Sequence, residues 1–186
     1  MDYIRPYINN YPIDELVDLL SFKYQNVIYG QIHVLLSKPD VQCTFHYQLP
    51  IYLKVALLEF RKLSDMLAEH RKKDDEIIFP YIKAIVQYGK EGRYVEKIPS
   101  LMLDRALENA SKEHASILEG FEKIRQICKN YIVPEDAGEL TKLYLNTLQQ
   151  LEMDYYQQVY LEDKVLFPRC KALEKKLAML DNQKAS

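Results

Sequence analysis

The sequence predicts an all-α protein, an antiparallel up-down four-helix bundle. Four long segments repeat apolar residues at helical spacing, and strand-like alternation is weak everywhere. The breaks between these segments contain LSKPD, YGKEG and VPEDAG, which is turn chemistry and suits antiparallel neighbours. We therefore expect one domain, 1–186, with the bundle over about 14–176, an N-terminal lead of 1–13 and a C-terminal tail of 177–186.

The four predicted helices follow one another with short connections. The first covers about 14–37, and the second runs from the 40s, past Pro50, to about 88. The third covers about 100–130 and the fourth about 135–176. Each has an inward stripe that is apolar except for polar or phenolic residues midway. In chain order the stripes are Ile13, Val17, Leu20, Tyr24, Val27 and Ile28; Leu53, Phe60, Leu63, Leu67, His70, Asp74 and Ile77; Leu103, Leu107, Ala110, His114, Ile117 and Phe121; and Tyr144, Leu148, Leu151, Tyr155, Gln158, Glu162 and Val165.

Two stretches on the second and fourth helices look like copies of each other, HRKKDDEIIFP at 70–80 and QVYLEDKVLFP at 158–168. In this alignment Gln158 stands opposite His70, and Glu162 stands opposite Asp74. Both copies end in Phe-Pro, and each proline is expected to interrupt its helix because it lacks an N–H and clashes with the preceding turn. The copies predict an architecture with two matched halves.

Polar residues on the inward stripes indicate a metal site. A buried carboxylate costs several kcal/mol unless it is compensated, against a total stability of roughly 5–15 kcal/mol, so a bound cation is expected. His70 and Asp74 are four residues apart on one helix face and can reach one ion, with Glu162 and His114 facing it from other helices. Imidazole with carboxylate suits iron, manganese or zinc. No cysteine falls at this level of the stripes, which argues against an iron–sulfur cluster.

Other interpretations of the same residues stay open. A buried polar network or a wet cleft would also explain acids and imidazoles on an inward stripe. His33 is interpreted as a surface histidine in the last turn of the first helix. His46 falls on the inward face of the second helix only if that helix begins before Pro50. The Glu-x-x-His signature of ferritin-like bundles is missing around all four histidines.

The segments HRKKDDEIIFP and YLEDKVLFPR resemble the hemerythrin-like (HHE cation-binding) domain, in its branch linked to repair of iron–sulfur centres. The resemblance spans about 14–169 and implies a mono- or dinuclear non-haem iron centre in a four-helix bundle. The ligands that it implies are His46, His70, Asp74, His114 and Glu162.

Two positions depart from the family pattern. Gln158 stands where the family has its last histidine, and the first helix has Tyr24 and Gln25 where another is expected. One of the two metal positions is therefore expected to be weakened. Tyr24, Tyr156 or Tyr160 could bind a ferric ion as phenolate, or these phenols and Gln158 could simply form hydrogen bonds within a former site.

The resemblance implies a metal-binding role in nitrosative or oxidative stress or in iron-centre repair, with oxygen or nitric oxide and iron–sulfur proteins as partners. Redox chemistry or iron donation is compatible with it, and whether the protein is an enzyme stays open. The sequence shows no nucleophile–base pair and no phosphate-binding glycine loop, so ordinary hydrolase or transferase chemistry is not expected. The alternative is a degenerate, metal-free family member that acts as a binding or regulatory module.

Composition limits the partners and the cellular location that we expect. The net charge of −2 gives no reason to expect nucleic acid, and no apolar run is long enough for a membrane helix. The N-terminus does not have the pattern of a signal peptide. Three scattered cysteines predict reduced thiols and a cytoplasmic location.

Overall fold

The protein is mostly helical in the part that the computed structural model describes, residues 10–37, 49–91 and 100–184. Four long helices form within these ranges, and no strand does. The helices are α1 (13–36), α2 (51–91), α3 (Ser100–Ile127) and α4 (139–184). This confirms the all-α class and fits a helical bundle. The antiparallel order and the single domain stay predictions.

The second helix begins later than the sequence predicted. Leu49 and Pro50 are not helical, and α2 starts at Ile51. The carbonyl oxygen of Pro50 accepts the first helical hydrogen bonds, from the N–H groups of Leu53 at 3.0 Å and Lys54 at 3.1 Å. Proline disfavours helical geometry at the residue before it, so the helix starts after Pro50. The condition that would have placed His46 on the inward face of α2 is therefore not met, and His46 itself lies outside the described residues.

Three of the four helices contain a π-helical turn, at Tyr24–Ile28 in α1, Asp74–Ile78 in α2 and Glu162–Leu166 in α4. The N–H of Phe79 donates to the carbonyl of Asp74, and the N–H of Phe167 donates to the carbonyl of Glu162. In both helices the Phe-Pro motif comes directly after the wider turn. Phe-Pro therefore interrupts only the α-helical hydrogen-bond pattern, and the chain stays helical through it.

In α1 and α2 the π-turn shifts the register of the inward stripe by one residue, whereas in α4 the predicted Val165 is buried. Ile77 was predicted to face inward but is 56% exposed, and Ile78 is buried instead. Likewise Val27 is 38% exposed whereas Ile28 is fully buried. Each π-turn adds one residue to the helix, so a spacing of three or four no longer returns to the same face beyond it. Before the π-turns the predicted stripes are buried, apart from the half-buried Ile13 at the start of α1.

Contacts divide the chain into two compact units, each built from segments of all four helices. Unit 1 comprises Met1–Phe22, His70–Glu113 and Gln158–Ser186, and unit 2 comprises Lys23–Glu69 and His114–Gln157.

Unit 1 has a continuous apolar core. Its buried members are Leu16, Val17, Leu20, Ile78, Phe79, Tyr81, Ile82, Leu103, Leu107, Ala110, Val165, Leu166, Phe167 and Cys170. The segments that follow the two Phe-Pro motifs pack against each other in this core. The phenylalanine of each motif is thus held in a packed interior, where fixed side-chain positions are the rule.

Unit 2 packs around aromatic and small residues. The rings of Phe121 and Tyr155 lie 5.6 Å apart, and Gly120 of α3 lies directly against the side chain of Leu63 of α2. A Cβ at Gly120 would come within 2.6 Å of a Leu63 methyl carbon, so the absence of a side chain permits this close approach.

A buried carboxylate in unit 2 links α1 to α4. Asp154 is 8% exposed and accepts hydrogen bonds from Gln31 at 2.9 Å and Gln150 at 3.0 Å. Lys23 lies 3.1 Å from the other carboxylate oxygen. Burial alone would raise the pKa of Asp154, but these three donors outweigh it and lower the pKa. Lys23 and Gln31 flank the π-turn of α1, so the network holds that turn from both sides.

No helix in the described part of the chain has an apolar stretch that could span a membrane.

Replacing Asp154 by Asn should lower the free energy of unfolding at pH 7 by about 1–3 kcal/mol, because it removes the charge of a buried acceptor that three donors share. Since the folded-state pKa is depressed, this stabilisation is fully present above the unfolded pKa of about 4 and is lost as pH falls through the folded value. Urea unfolding of both proteins at pH 7 and pH 3 should therefore show a difference that shrinks in acid.

Asp18→Asn is the matched control, since the pair of Asp18 with Lys83 is largely exposed. It should change the stability by less than about 1 kcal/mol. An Asp154→Asn protein as stable as the wild type at neutral pH would contradict the assigned role of this network.

Candidate metal centre

The centre of the candidate site is the imidazole of His70 in unit 1. The ring is 2% exposed and lies in the last α-helical turn before the π-turn of α2. Asp74 opens that π-turn, and its Oδ2 lies 3.4 Å from Nε2 of His70. Glu162, which opens the π-turn of α4, places Oε2 3.9 Å from the same nitrogen. Both carboxylates are fully buried. Two acids from two helices thus face one ring nitrogen.

The other ring nitrogen of His70 faces a third acid. Nδ1 lies 3.0 Å from Oε2 of Glu113, and Lys73 contacts Oε1 of the same carboxylate. Burial opposes ionisation of Glu113, but the hydrogen bonds from Lys73 and His70 outweigh it and lower its pKa. Because a carboxylate can only accept, Nδ1 carries the proton in this pair. In the neutral ring the lone pair is then on Nε2, on the side of Asp74 and Glu162.

Gln158 occupies the place opposite His70 in the second motif, and its role differs. Its amide nitrogen donates to Oε1 of Glu162 at 2.9 Å. The orientation of the amide is fixed chemically, because only the nitrogen of the amide can donate to a carboxylate. Its own Oε1 is buried and has no hydrogen-bond partner among the described residues. Gln158 therefore holds one oxygen of Glu162 and leaves a buried carbonyl oxygen beside it.

The second acid of each motif secures its helix near the site. Asp75 accepts from Nε of the buried Arg71 at 2.7 Å, and the Arg71 guanidinium lies 5.3 Å from the centre of the Phe79 ring. Asp163 accepts from the hydroxyl of Ser111 at 2.7 Å. The first pair lies within α2, and the second joins α4 to α3. Neither pair uses Asp74 or Glu162, the two inner acids of the site.

The donor set fits a transition-metal ion. One imidazole, two carboxylates and an amide oxygen are the nitrogen and oxygen ligands that iron, manganese or zinc accept, and Cys170, the one described cysteine of unit 1, is not in the set. The hydrogen bond from Nδ1 to a carboxylate is the usual support of a metal-binding histidine. Without a cation, two buried acids would share the compensation that one imidazole can give.

His114 and His46, the remaining predicted ligands, stay predictions. His114 is buried in unit 2, directly after Glu113 along α3, and its ring meets the ring of Tyr155 edge-on at 6.4 Å. His46 lies outside the described residues, and the side chain of Gln25 is not described. His33 is exposed in the last turn of α1, as predicted.

The three phenols that could bind a ferric ion differ in their surroundings. Tyr24 is buried in unit 2, and its hydroxyl donates to the carbonyl of Leu67 at 3.4 Å. Tyr156 is 62% exposed and Tyr160 is 39% exposed. Ligation by a tyrosine stays a prediction, beside the alternative that the phenols only form hydrogen bonds.

Sequence reasoning missed Glu113. It precedes His114 and lies beside the inward stripe of α3, so periodicity predicts a solvated residue there. The chemistry of a metal-binding histidine could have identified this residue. Such a histidine needs a hydrogen-bond acceptor for its second N–H, and an acidic residue near an inward stripe can supply it.

Known proteins that are similar to this chain in sequence include iron–sulfur cluster repair proteins. The chain is 31% identical over 120 residues to the iron–sulfur cluster repair protein ScdA of Staphylococcus epidermidis, which covers 64% of this chain and 49% of ScdA. It is 26% identical over 163 residues to the iron–sulfur cluster repair protein YtfE of Escherichia coli and of Escherichia fergusonii, which covers 88% of this chain and 68% of each relative. The chain spans about half the length of ScdA. No family profile matches it.

The all-helical described part of the chain and its buried histidine–carboxylate cluster fit the hemerythrin-like class that the sequence resembles. The relatives support the resemblance to the iron–sulfur repair branch of that class.

The metal-free protein should be stabilised when one of the two inner acids loses its charge. Glu162→Gln keeps the size of the side chain and an oxygen that accepts from Gln158, while Asp74 stays paired with His70. We expect the free energy of unfolding in the presence of a chelator to rise by about 1–3 kcal/mol. Urea unfolding of chelated protein measures it.

The control is Glu119→Gln, an exposed acid on α3, which should leave stability within about 0.5 kcal/mol. If Glu162→Gln instead destabilised the chelated protein by several kcal/mol, the two acids would not be competing for one imidazole.

Proposed function

We propose that this protein binds non-haem iron at the His70 centre and serves in iron-centre repair under nitrosative or oxidative stress. The observation that carries the proposal is the pair of buried acids, Asp74 and Glu162, that face one nitrogen of His70. Buried acids in this arrangement cost stability unless a cation is bound, so they are expected where binding a cation is the function.

The residues of the chain have separate roles in this proposal. His70 binds through Nε2, and Asp74 and Glu162 supply the charge that matches a divalent or trivalent ion. His46 and His114 are further ligands that the family resemblance proposes. Bound iron would supply an open coordination position for a diatomic molecule such as oxygen or nitric oxide. Manganese and zinc fit the same donors and are the alternative ions.

The second metal position of the family is proposed to be weakened. Gln158 replaces an imidazole by an amide, and its hydrogen bond already uses Oε1 of Glu162. Asp74 is one methylene shorter than the usual glutamate, which makes it harder for that carboxylate to bridge two ions. One well-formed position, beside a weak or altered one, follows from these two features.

The partners of the proposed function are inferred from the relatives. ScdA and YtfE are iron–sulfur cluster repair proteins, and we propose that this chain acts on iron–sulfur proteins in the same way. The buried, unpaired thiols of Cys128 and Cys170 fit the predicted cytoplasmic location.

A second candidate function is a metal-free binding or regulatory module. The hydrogen bond between Gln158 and Glu162 favours it, because it satisfies part of the cluster without any ion.

Purified protein that is loaded with ferrous iron and desalted should retain about one iron per chain, because the described cluster offers one imidazole nitrogen with two carboxylates. His70→Ala should lose that iron. His33→Ala, which removes an exposed histidine of the same chain, should keep it. Elemental analysis and the optical spectrum in air measure both variants.

Two irons per chain with an oxo-bridge absorption band would contradict the weakened second position. No retained metal under any loading condition would contradict the proposed function and favour the metal-free module.

Gln158→His should raise the iron content towards two per chain, since it supplies the imidazole that the family pattern has there and removes the hydrogen bond on Glu162. Gln149→His is the matched control, an exposed glutamine on the same helix, and should leave the iron content unchanged. An unchanged iron content in Gln158→His would show that Gln158 is not what weakens the second position.

A further inference from the structure

Glu113 occupies an unusual place for an acid of α3. Its side chain is 29% exposed, yet one of its oxygens reaches Nδ1 of a histidine that is almost fully buried. Its other oxygen contacts Lys73, whose side chain is 48% exposed. The carboxylate thus joins a surface cation to a buried ring.

A histidine side chain has two freedoms that matter for binding an ion: which nitrogen carries the proton, and how the ring is rotated. An acceptor at Nδ1 decides the first, because it keeps the proton there and directs the lone pair of Nε2 to the other edge of the ring. A fixed hydrogen bond also restricts the second, so Nε2 stays aimed at Asp74 and Glu162.

Lys73 completes this arrangement. Its ammonium group contacts Oε1 of Glu113, so the carboxylate is held from the side opposite His70. It also favours the ionised form of Glu113, which accepts hydrogen bonds and cannot donate one to the ring. The two contacts come from different positions of α2, one turn apart, and place the carboxylate of α3 between them.

We propose that Glu113 is a positioning residue, which, with Lys73, fixes the proton of His70 on Nδ1 and orients Nε2 towards the inner acids. The consequence for metal affinity rests on the proposed function, whereas the position of the proton does not. Glu113 does not itself bind the ion, because it lies on the far edge of the ring.

The test compares three variants of the full chain. Glu113→Ala removes the acceptor, and Glu113→Gln keeps a neutral oxygen that can still accept from Nδ1–H. Glu108→Ala is the matched control, an exposed acid earlier on the same helix. Proton–nitrogen NMR of the chelated protein observes the Nδ1–H of His70, which is assigned by its disappearance in His70→Gln.

A slowly exchanging Nδ1–H is expected in the wild type, Glu113→Gln and Glu108→Ala, and its loss is expected in Glu113→Ala. Chelator competition with Zn²⁺, used as a diamagnetic probe, should show an affinity roughly 10–100-fold lower in Glu113→Ala and less than tenfold lower in Glu113→Gln. Glu108→Ala should equal the wild type.

A protected Nδ1–H in Glu113→Ala would overturn the assignment, and so would Zn²⁺ affinity within about twofold of the wild type in that variant. If Glu113→Ala does not fold, loss of the Nδ1–H in folded Glu113→Gln overturns it, and its retention with a modest drop in affinity supports it. If the wild type itself binds no Zn²⁺ or iron, the proposed function fails, and the NMR comparison alone decides the role of Glu113.

Discussion

The imidazole of His70, with a carboxylate group facing each of its two edges, is the constraint on which this structure depends. On one edge are Asp74 and Glu162 from the two motif helices, and on the other is Glu113 from α3. Three helices must therefore keep their register relative to a single ring in unit 1. The packed apolar core of that unit supplies the rigidity, since interiors at this density do not let one side chain move alone.

The buried cluster that forms the candidate site lowers the stability of the fold. Burying two acids beside one imidazole uses up part of the free energy that the apolar core provides. Proteins accept such local costs where a site needs them, and compensate through the surrounding structure. Here the compensation is visible in the pairs outside the cluster, Arg71 with Asp75 and Ser111 with Asp163, which secure the motif helices while the inner acids remain available.

Much of the fold could be predicted from periodicity, and the errors within the inward stripes have a single physical cause. Stripe positions such as Leu67, Leu107 and Leu151 are buried as predicted, because each lies on an uninterrupted α-helix. Within the π-turns of α1 and α2 the prediction failed at Val27 and Ile77, because hydrogen bonds to the fifth residue cannot be read from hydropathy alone.

The candidate site was predicted in its inner part only. His70, Asp74, Gln158 and Glu162 were found from polar residues on apolar stripes and from the duplicated motif. Glu113 was missed because its importance comes from a contact between α3 and α2, which no spacing within one helix encodes. Gln158 was identified as a departure from the family pattern, but its hydrogen bond to Glu162 required coordinates.

The π-turns also limit which mutations the two motif helices can accept. A π-turn can arise when a single residue is inserted into an α-helix, and deleting one residue would rotate everything downstream by about 100°. Asp74 and Glu162 are each the first residue of a π-turn, so both halves of the chain have the same change of register. The two halves differ at the matched position four residues earlier, His70 in one and Gln158 in the other, so a point substitution changes this side chain without moving the helix. Deleting one residue from a π-turn would instead turn the following Phe-Pro segment away from the core.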